Sequence, residues 1–584
     1  MLYASTDFKL GVYAPIREFK ARATLNLLGV TSIFEDDKII NMDILEEMST
    51  INESLPSNEL NLTLFNEDGS LDLLNFQNMH QVLASKPTIS TELGLVLFEL
   101  LEQETFQGTF DGKIMGSLVE NPNRYFYRYA TSLGVPSLFT AETTQAHYDR
   151  LNATDNVTSA ISATGLNAPY GLWQFDIIEI LTRKYGTAIW GGETSLAGKI
   201  ALAKKYVTYL TANWVGYGIG PTGNSATLRL GSGASYFGTT RIHTESVPTQ
   251  LQISTLALTS AIDNNGKINV AAHGLPSDGV TTSTLRTDRV WIDIRVDPFQ
   301  AVEWMKTGLY FLAEWKNENS KKIITLTGND YFSQFSETSY EPKGITNLKA
   351  LATDVLTVGG VPANKQIIDN SLNNIVVAGF PERLDCRTAL QHIGIAGVSA
   401  VGQDREGNVF IKPFLAIDES SNYIVYATSQ SSLYGYVGQN TYLINDSGGG
   451  MKYLDFEQMY NEPAISLEQS IYQVVVLLYT NAEEPVERLY INTAINGTGG
   501  ASFTIDNPLI NSAVLADAVA KWFIREINYN AIYKVNWRQN PALECADMIL
   551  VEDSFGAEKQ TRIIRQELKY QGYLEGVTES RGGV

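Results

Sequence analysis

Residues 383–413 read RLDCRTALQHIGIAGVSAVGQDREGNVFIKP, and this stretch joins a helix pattern directly to a hairpin pattern. Asp385 is placed to be the N-cap of a helix, because its carboxylate can accept a hydrogen bond from the first turn. Leu390 and Ile393 then share the buried face of that helix. The two apolar runs that follow are separated by residues 404–408, DREGN, whose Asp, Gly and Asn favour a bend. The turn lacks the alternating acidic ligands of a calcium loop, so the stretch predicts a small α+β unit and not a cation site.

Strand patterns dominate the rest of the chain. Residues 58–75 and 308–332 alternate apolar and polar side chains around polar turns, as antiparallel strands do. A further helix pattern covers 511–527, and residues 533–583 again predict antiparallel strands. From about 121 to 296 the chain is rich in Thr, Ser, Gly and Asn, which together with short strand patterns favours a β-sandwich with helical pieces. The predicted fold class is mainly β with α+β parts.

Four domains are predicted from this order of patterns. Residues 1–110 and 299–333 form a first antiparallel barrel-like domain, which an insertion at an exposed loop splits in two. The insertion, residues 111–298, is the β-sandwich. Residues 334–420 form a small α+β domain, and residues 421–584 form a second barrel-like domain that contains the last helix pattern.

Composition and charge exclude several classes of protein. The 584 residues include 43 basic and 64 acidic side chains, which leaves a formal net charge of −21. Such a charge repels nucleic acid and anionic membranes. Cys386 and Cys545 are the only cysteines and lie in apolar contexts, so a disulfide scaffold or cysteine-rich zinc site is excluded and both are predicted to be buried. We see no secretion signal and no apolar run of membrane-spanning length, so stable membrane insertion is not expected.

No catalytic, cofactor or metal motif is visible in the sequence. The five histidines are scattered without metal-ligand spacing; they are His80, His147, His243, His273 and His392. The glycines of GYGIG, residues 216–220, alternate and do not match a dinucleotide-binding loop. We therefore assign no catalytic, cofactor-binding or metal residue and predict no enzyme activity, although a carboxylate pair that forms only in three dimensions stays open.

Aromatic residues of the predicted insertion are the candidate binding feature. The candidates for binding carbohydrate are Trp173, Trp190, Trp214 and Tyr217, with Tyr170 and Trp291 in the same segment. Aromatic rings offer flat faces on which the apolar surface of a ligand can stack. The alternative is that these side chains form the core of the sandwich.

Residues 383–413 resemble a segment of the baseplate hub proteins at the tail tip of long-tailed bacteriophages of Gram-positive hosts and of related prophage particles. Residues 57–75 resemble the first barrel strands of those hubs, residues 308–332 resemble the return strands, and residues 540–583 resemble the closing barrel. The order of these four segments along the chain supports the resemblance more strongly than any single segment does. The resemblance covers about 1–110 and 300–584. Parts of the insertion resemble a β-sandwich module of tail and surface proteins of Firmicutes.

The resemblance implies a structural, non-enzymatic protein of the virion tail tip that is assembled in the bacterial host cytoplasm. Hubs of this family are homotrimers, in which two barrel-like domains per chain form a pseudo-sixfold ring that adapts a six-fold tail tube to a three-fold tip. The implied partners are a distal tail or tube protein above the ring and a spike, fibre or tape-measure protein below it, with DNA passing through. The sandwich module implies binding of a host surface glycan, or decoration of the particle.

Two other functions stay open at this stage. A receptor- or cell-wall-binding tail adhesin would use the sandwich as its active part. A peptidoglycan hydrolase would need catalytic carboxylates that the sequence does not reveal. The excess of acidic residues suits a conduit to which DNA does not adhere.

Overall fold

The structure is a computed structural model. It describes residues 2–69, 71, 85–233, 235–318, 320–413, 425–427, 441–443, 453–454, 458–480, 484–495, 500–552 and 558–583. Parts of the predicted domains 1–110, 334–420 and 421–584 therefore lie outside the described residues. Residues 70 and 72–75 of the predicted strand pair 58–75 lie outside them as well. The chain divides into two compact units: unit 1 is Met1–Leu95 with Trp304–Val584, and unit 2 is Val96–Glu303.

Short helices and many strands follow one another along the chain. The α-helices of the described residues are α1 (Thr6–Gly11), α2 (Gln145–Tyr148), α3 (Ile177–Tyr185), α4 (Leu196–Tyr206), α5 (Leu258–Ala261), α6 (Tyr331–Glu337), α7 (Leu348–Val358), α8 (Cys386–Ala396) and α9 (Ala513–Ile527). The first strands are β1 (Phe19–Leu27), β2 (Val30–Glu35), β3 (Ile39–Glu47), β4 (Glu59–Phe65), β5 (Thr88–Leu100), β6 (Glu104–Gly108), β7 (Arg124–Ala130), β8 (Ser159–Ala163), β9 (Ala168–Asp176), β10 (Val207–Gly220), β11 (Gly223–Asn224), β12 (Ala226–Gly231), β13 (Tyr236–His243), β14 (Thr249–Thr255), β15 (Lys267–Gly274), β16 (Ser283–Val296), β17 (Phe299–Glu318) and β18 (Ile323–Asn329). The later strands are β19 (Ser339–Tyr340), β20 (Gln366–Ile368), β21 (Leu384–Asp385), β22 (Ser399–Gln403), β23 (Val409–Pro413), β24 (Val425–Ala427), β25 (Thr441–Leu443), β26 (Tyr453–Leu454), β27 (Ala464–Leu467), β28 (Ile471–Leu478), β29 (Val486–Ile491), β30 (Ala501–Ile505), β31 (Ala531–Trp537), β32 (Met548–Glu552), β33 (Glu558–Tyr570) and β34 (Leu574–Gly582).

A 13-stranded sheet runs through unit 1 in the order β2–β1–β5–β17–β18–β4–β3–β33–β34–β31–β27, with β32 and β26 attached beside β33. Along β34 every second side chain is buried, as expected for a strand with one face on a core. The strands predicted for the two barrel-like domains thus lie in one continuous sheet. They meet at the antiparallel pair β3–β33, in which Met42 lies opposite Tyr570 and Glu47 lies opposite Arg565.

The helix and the hairpin predicted within residues 383–413 are both confirmed. Asp385 Oδ1 accepts a hydrogen bond of 2.9 Å from the amide of Thr388 at the start of α8. Strands β22 and β23 pair antiparallel, and β20 adds to β23 in parallel. Leu390 and Ile393 are fully buried in the core that α8 shares with α7 and α9.

The helix predicted at residues 511–527 is also confirmed, as α9. It begins after Ser512, whose side chain accepts a hydrogen bond from the amide of Leu515. Val519 and Phe523 on α9 share a buried core with Val474 and Val476 of β28. Strand β28 is the centre of a three-stranded sheet in the order β29–β28–β30.

Unit 2 contains two sheets with a common core. One has the order β11–β10–β16–β6, with β14 beside β10 and β8 beside β16, and the other has the order β13–β12–β15–β9–β7. Trp214 and Ile292 from the first sheet and Phe175, Leu228 and Val270 from the second are fully buried in one apolar cluster. Two sheets whose inner faces share a core form a sandwich.

The predicted fold class, mainly β with α+β parts, is confirmed. The division between units falls elsewhere than the predicted insertion boundaries at 111 and 298. Strand β6 lies before residue 111, yet it pairs with β16 of unit 2, with Gly108 opposite Ile292. The alternating pattern of β6 identifies a strand but not its partner, because pairing is decided by long-range contacts.

The two cysteines differ in burial. Cys386 is buried at the start of α8, as predicted, whereas Cys545 keeps part of its surface exposed in the loop before β32. Both are free thiols. No helix among the described residues is long and apolar enough to cross a membrane.

Candidate functional site

The turn at residues 404–408 is held by the side chain of Asp404. Its Oδ1 accepts hydrogen bonds from the amides of Glu406 (3.0 Å) and Asn408 (2.8 Å), and its Oδ2 accepts one from Asn408 Nδ2 (2.7 Å). Gly407 has a φ of +77°, which an L side chain rarely adopts. The predicted role of the turn as a bend is confirmed, and it leaves Arg405 at the tip of the hairpin.

Arg405 is fully buried and uses all five of its N–H groups. Nε and one terminal nitrogen donate to the two carboxylate oxygens of Glu46 on β3, at 2.5 and 2.8 Å. The remaining donors reach backbone carbonyls of Leu543 (2.6 Å), Pro541 and Lys306 (3.4 Å). One side chain therefore connects the hairpin to β3, to β17 and to the loop before β32. We call this group the Arg405 junction.

The energetics of the Arg405 junction follow from its burial. A bidentate arginine–carboxylate pair is directional and charge-assisted. Removing one partner of a buried ion pair leaves an uncompensated charge and costs about 3–5 kcal/mol. The junction is thus a place where strands from distant parts of the chain are held in one arrangement.

Other buried ionisable groups surround the junction. Burial raises the pKa of the Glu544 carboxyl to about 7, although the nearby Arg405 acts to lower it. A cavity of about 30 Å³ lies against Glu46, Arg405 and Glu544. Such a volume accommodates water and nothing larger, so the arrangement holds charges in place and offers no room for a substrate.

Sequence reasoning missed the role of Arg405. It identified the surrounding residues as a turn, and a charged turn is usually solvated. The only signal was an arginine at the tip of a bend between two acidic residues. Such a local pattern does not identify Glu46, which lies far away in the sequence, as the partner of Arg405.

The structure contradicts an exposed carbohydrate platform at the predicted tryptophans. Trp173 and Trp214 are fully buried and Trp190 is 2% exposed, all in the core of unit 2. Trp173 stacks on Tyr125 with ring centroids 4.9 Å apart, and the indole N–H groups of Trp190 and Trp214 donate to threonine hydroxyls. Their faces contact protein, so the alternative that they form the core is the correct one for these three residues.

The other aromatic candidates lie in different surroundings. Tyr170 is buried, with its ring 5.3 Å from that of His273. Tyr217 and Trp291 are half-buried on the neighbouring strands β10 and β16. The guanidinium carbon of Arg289 lies 5.0 Å from the centroid of Trp291, which places a cation over the indole.

The histidines of the described residues do not form a site. His147 Nδ1 lies 2.7 Å from Ser159 Oγ, and His243 Nε2 lies 2.9 Å from the carbonyl oxygen of Gly216. Burial lowers the pKa of His392 on α8, and His80 lies outside the described residues. No group of three His, Cys, Asp or Glu side chains in the described part of the chain is arranged to hold a metal ion.

Comparisons with known proteins found weak structural likeness only. No family profile and no curated protein matches the sequence. A tail protein from Neisseria meningitidis MC58 matches with a TM-score of 0.33 at 10% identity, over 49% of this chain and 82% of that one. The 43 kDa tail protein of prophage MuSo2 from Shewanella oneidensis matches with a TM-score of 0.31 at 13% identity, over 48% of this chain and 80% of that one.

A third match is to the Francisella PdpA–VgrG complex, with a TM-score of 0.33 at 6% identity. It covers 97% of this chain and 53% of that one, so this chain spans about half of the length of the chain it matches. At such scores and identities neither a shared assembly nor a shared partner follows for this protein.

Proposed function

We propose that this chain is a structural baseplate hub protein of a phage-type tail tip. The observation that carries the proposal is the continuous sheet of unit 1, in which an N-terminal and a C-terminal set of antiparallel strands lie side by side through the β3–β33 pair. A ring of three such chains would present six sets of strands, which suits an adaptor between a six-fold tube and a three-fold tip. The quoted resemblance of residues 57–75, 308–332, 383–413 and 540–583 supports the same function.

The Arg405 junction fits this role because an adaptor must keep its strands in one arrangement while partners bind on both sides. In the proposal the partners are a distal tail or tube protein above and a spike, fibre or tape-measure protein below. DNA passes through the ring, and the net charge of −21 disfavours its adhesion. The location is the virion tail tip, and the chain has no catalytic activity.

The test is the mass of the purified full chain in solution, measured by light scattering after size exclusion. We expect three times the 64.4 kDa of one chain, and three-fold particles in negative-stain averages. A strict monomer at high concentration, with no three-fold particle in the averages, would overturn the hub. Zymography on host peptidoglycan should give no lytic band, and a band would instead favour the hydrolase.

For the sandwich of unit 2 we propose a role in binding a host surface carbohydrate. The buried tryptophans give it no support. The carbohydrate role is favoured by polar and arginine side chains on the face of the six-stranded sheet that points away from the core. These side chains define where such a ligand would bind.

A further inference from the structure

The six-stranded sheet of unit 2 has an apolar inner face and a polar outer face. Trp214 and Ile292 point into the core and are fully buried. Their neighbours Asn213 and Trp291 lie directly opposite each other in the β10–β16 register, and alternation along a strand places them on the other face. Asp293, two residues after Trp291, shares this face. We call the surface formed here by β14, β10, β16 and β6 the outer face.

Five polar side chains form a hydrogen-bonded row across the outer face. Asp293 accepts from Asn213 Nδ2 (2.7 Å) and from Gln107 Nε2 (3.0 Å). Asn213 Oδ1 accepts from the side-chain amides of Gln250 (3.0 Å) and Gln252 (2.7 Å). The three glutamines are exposed, and each keeps an amide oxygen that can accept a hydroxyl hydrogen. We call these residues the amide row.

On β16 an arginine lies over an aromatic ring on either side of Asp293, where the amide row crosses that strand. The Arg289 guanidinium lies 5.0 Å from the centroid of Trp291, and that of Arg295 lies 5.1 Å from the centroid of Tyr209. Six residues along β16 separate the two arginines, which corresponds to roughly 20 Å. The stacked rings hold both cations in place.

Neither arginine has an acidic partner among the described residues. No carboxylate of that part of the chain lies within ion-pair distance of Arg289 or Arg295, and Asp293 is engaged by the amide row. Arg295 Nε donates to the hydroxyl of Thr208 at 3.3 Å, while the Nε of Arg289 is buried without a hydrogen-bond partner. Two arginines without a carboxylate partner among the described residues, on one face of a chain with 64 acidic residues, indicate an external anion.

We infer that the outer face binds an acidic polysaccharide, an inference that rests on the carbohydrate role proposed above for the sandwich. Asn213 is fully buried, so sugar hydroxyls would bind the three exposed glutamines of the amide row. Carboxylate or phosphate groups along the polymer would bind Arg289 and Arg295. Single-stranded nucleic acid fits less well, because it requires open aromatic faces for base stacking and the Trp291 ring is already covered by Arg289.

The experiment measures binding of the full chain by biolayer interferometry to four immobilised probes. They are hyaluronan, which has carboxylates, a polyglycerol phosphate teichoic acid, neutral dextran and a single-stranded DNA oligonucleotide. The variants are Arg289→Gln and a matched control, Arg241→Gln, which removes the same charge from an exposed position on β13 of the other sheet. Thermal unfolding of both variants checks that they fold.

We expect one of the two acidic polymers to bind, and dextran and DNA to bind far more weakly. Arg289→Gln should weaken that binding about tenfold, which corresponds to the loss of one charge-assisted contact, and Arg241→Gln should leave it within about twofold. Equal effects of the two variants would overturn the outer face as the site while leaving the carbohydrate role intact. Failure of hyaluronan, the teichoic acid and dextran to bind would overturn both. If DNA binds with the same dependence on Arg289, the ligand of the outer face is nucleic acid and not a polysaccharide. None of these results alters the solution mass, which tests the hub separately.

Discussion

Arg405 in unit 1 and Arg289 in unit 2 are the same residue type in opposite situations. Arg405 is fully buried, and its five donors reach one carboxylate and three carbonyl oxygens. Arg289 is half-buried on an indole, and its Nε has no hydrogen-bond partner among the described residues. A buried cation must be saturated to be tolerated, whereas a cation at a surface can keep its donors for a ligand. The comparison separates an arginine that assembles the fold from one that is available for binding.

The surroundings of the two arginines also differ: Arg405 lies beside a small cavity, and Arg289 lies beside exposed side chains. The Arg405 junction adjoins a cavity of about 30 Å³, enough for water only. The amide row beside Arg289 ends in three exposed glutamines. The structural site and the proposed binding surface have the same residue type and the same charge. They differ in whether the N–H groups of the arginine are already used in hydrogen bonds within the protein.

The largest effect is expected from Arg405→Ala, which tests the structural side of the comparison. It leaves Glu46 charged and buried without a partner, so unit 1 should lose about 3–5 kcal/mol of unfolding free energy. Urea unfolding of the full chain measures the loss, and hydrogen exchange in β3 should rise. Arg289→Gln is the control and should change stability by less than about 0.5 kcal/mol. If both variants unfold alike, the distinction between the two arginines is wrong.

A similar effect is expected inside unit 2, where Trp214 and Trp291 lie on opposite faces of one sheet. Trp214→Ala opens a cavity in the core and should cost about 3–5 kcal/mol. Trp291→Ala should leave the thermal unfolding temperature nearly unchanged but weaken binding of the acidic polymer, because Arg289 loses the ring that positions it. Comparable destabilisation by both substitutions would contradict the assignment of the two faces.

A smaller effect is expected from pH, through Glu544 beside the Arg405 junction. Its folded pKa is raised by burial to about 7 from an ordinary value of 4.5. Between these values the folded state binds more protons than the unfolded state, so stability should fall as pH rises from about 4.5 to 7 and level off above it. Glu544→Gln should remove that slope and stabilise the protein at pH 8, by the order of 1–3 kcal/mol. Unfolding midpoints at pH 5 and pH 8 measure the difference, and an unchanged slope in the variant would show that another group titrates.

The smallest effect is expected from Asp385→Ala, which removes a local cap outside both arginine sites. The carboxylate accepts from the amide and from the hydroxyl of Thr388, so its loss should cost about 1 kcal/mol. Asp385→Asn keeps an acceptor and should cost less. Urea unfolding with both variants calibrates what a local interaction contributes, and a loss as large as that of Arg405→Ala would remove the contrast between local and long-range contacts.

Much of the local structure was predictable because its signals lie within a few residues. The cap at Asp385, the buried face with Leu390 and Ile393 and the bend at residues 404–408 all depend on neighbours one to four positions away. The tryptophans show the limit of such signals. A large aromatic residue suits both a core and a sugar platform, and only the packing of two sheets decided that Trp214 lies inside and Trp291 outside.

The sequence by itself determined the class of fold, the helices α8 and α9, the hairpin of β22 and β23 and the absence of recognisable motifs for catalysis. These follow from side-chain periodicity and from turn and cap chemistry, which act locally. Only the tertiary structure decided that β3 pairs with β33, that Arg405 reaches Glu46 and that β6 belongs with β16. The physical reason is that strands with the same alternating pattern are interchangeable as partners until packing, register and the pairing of buried charges select one arrangement.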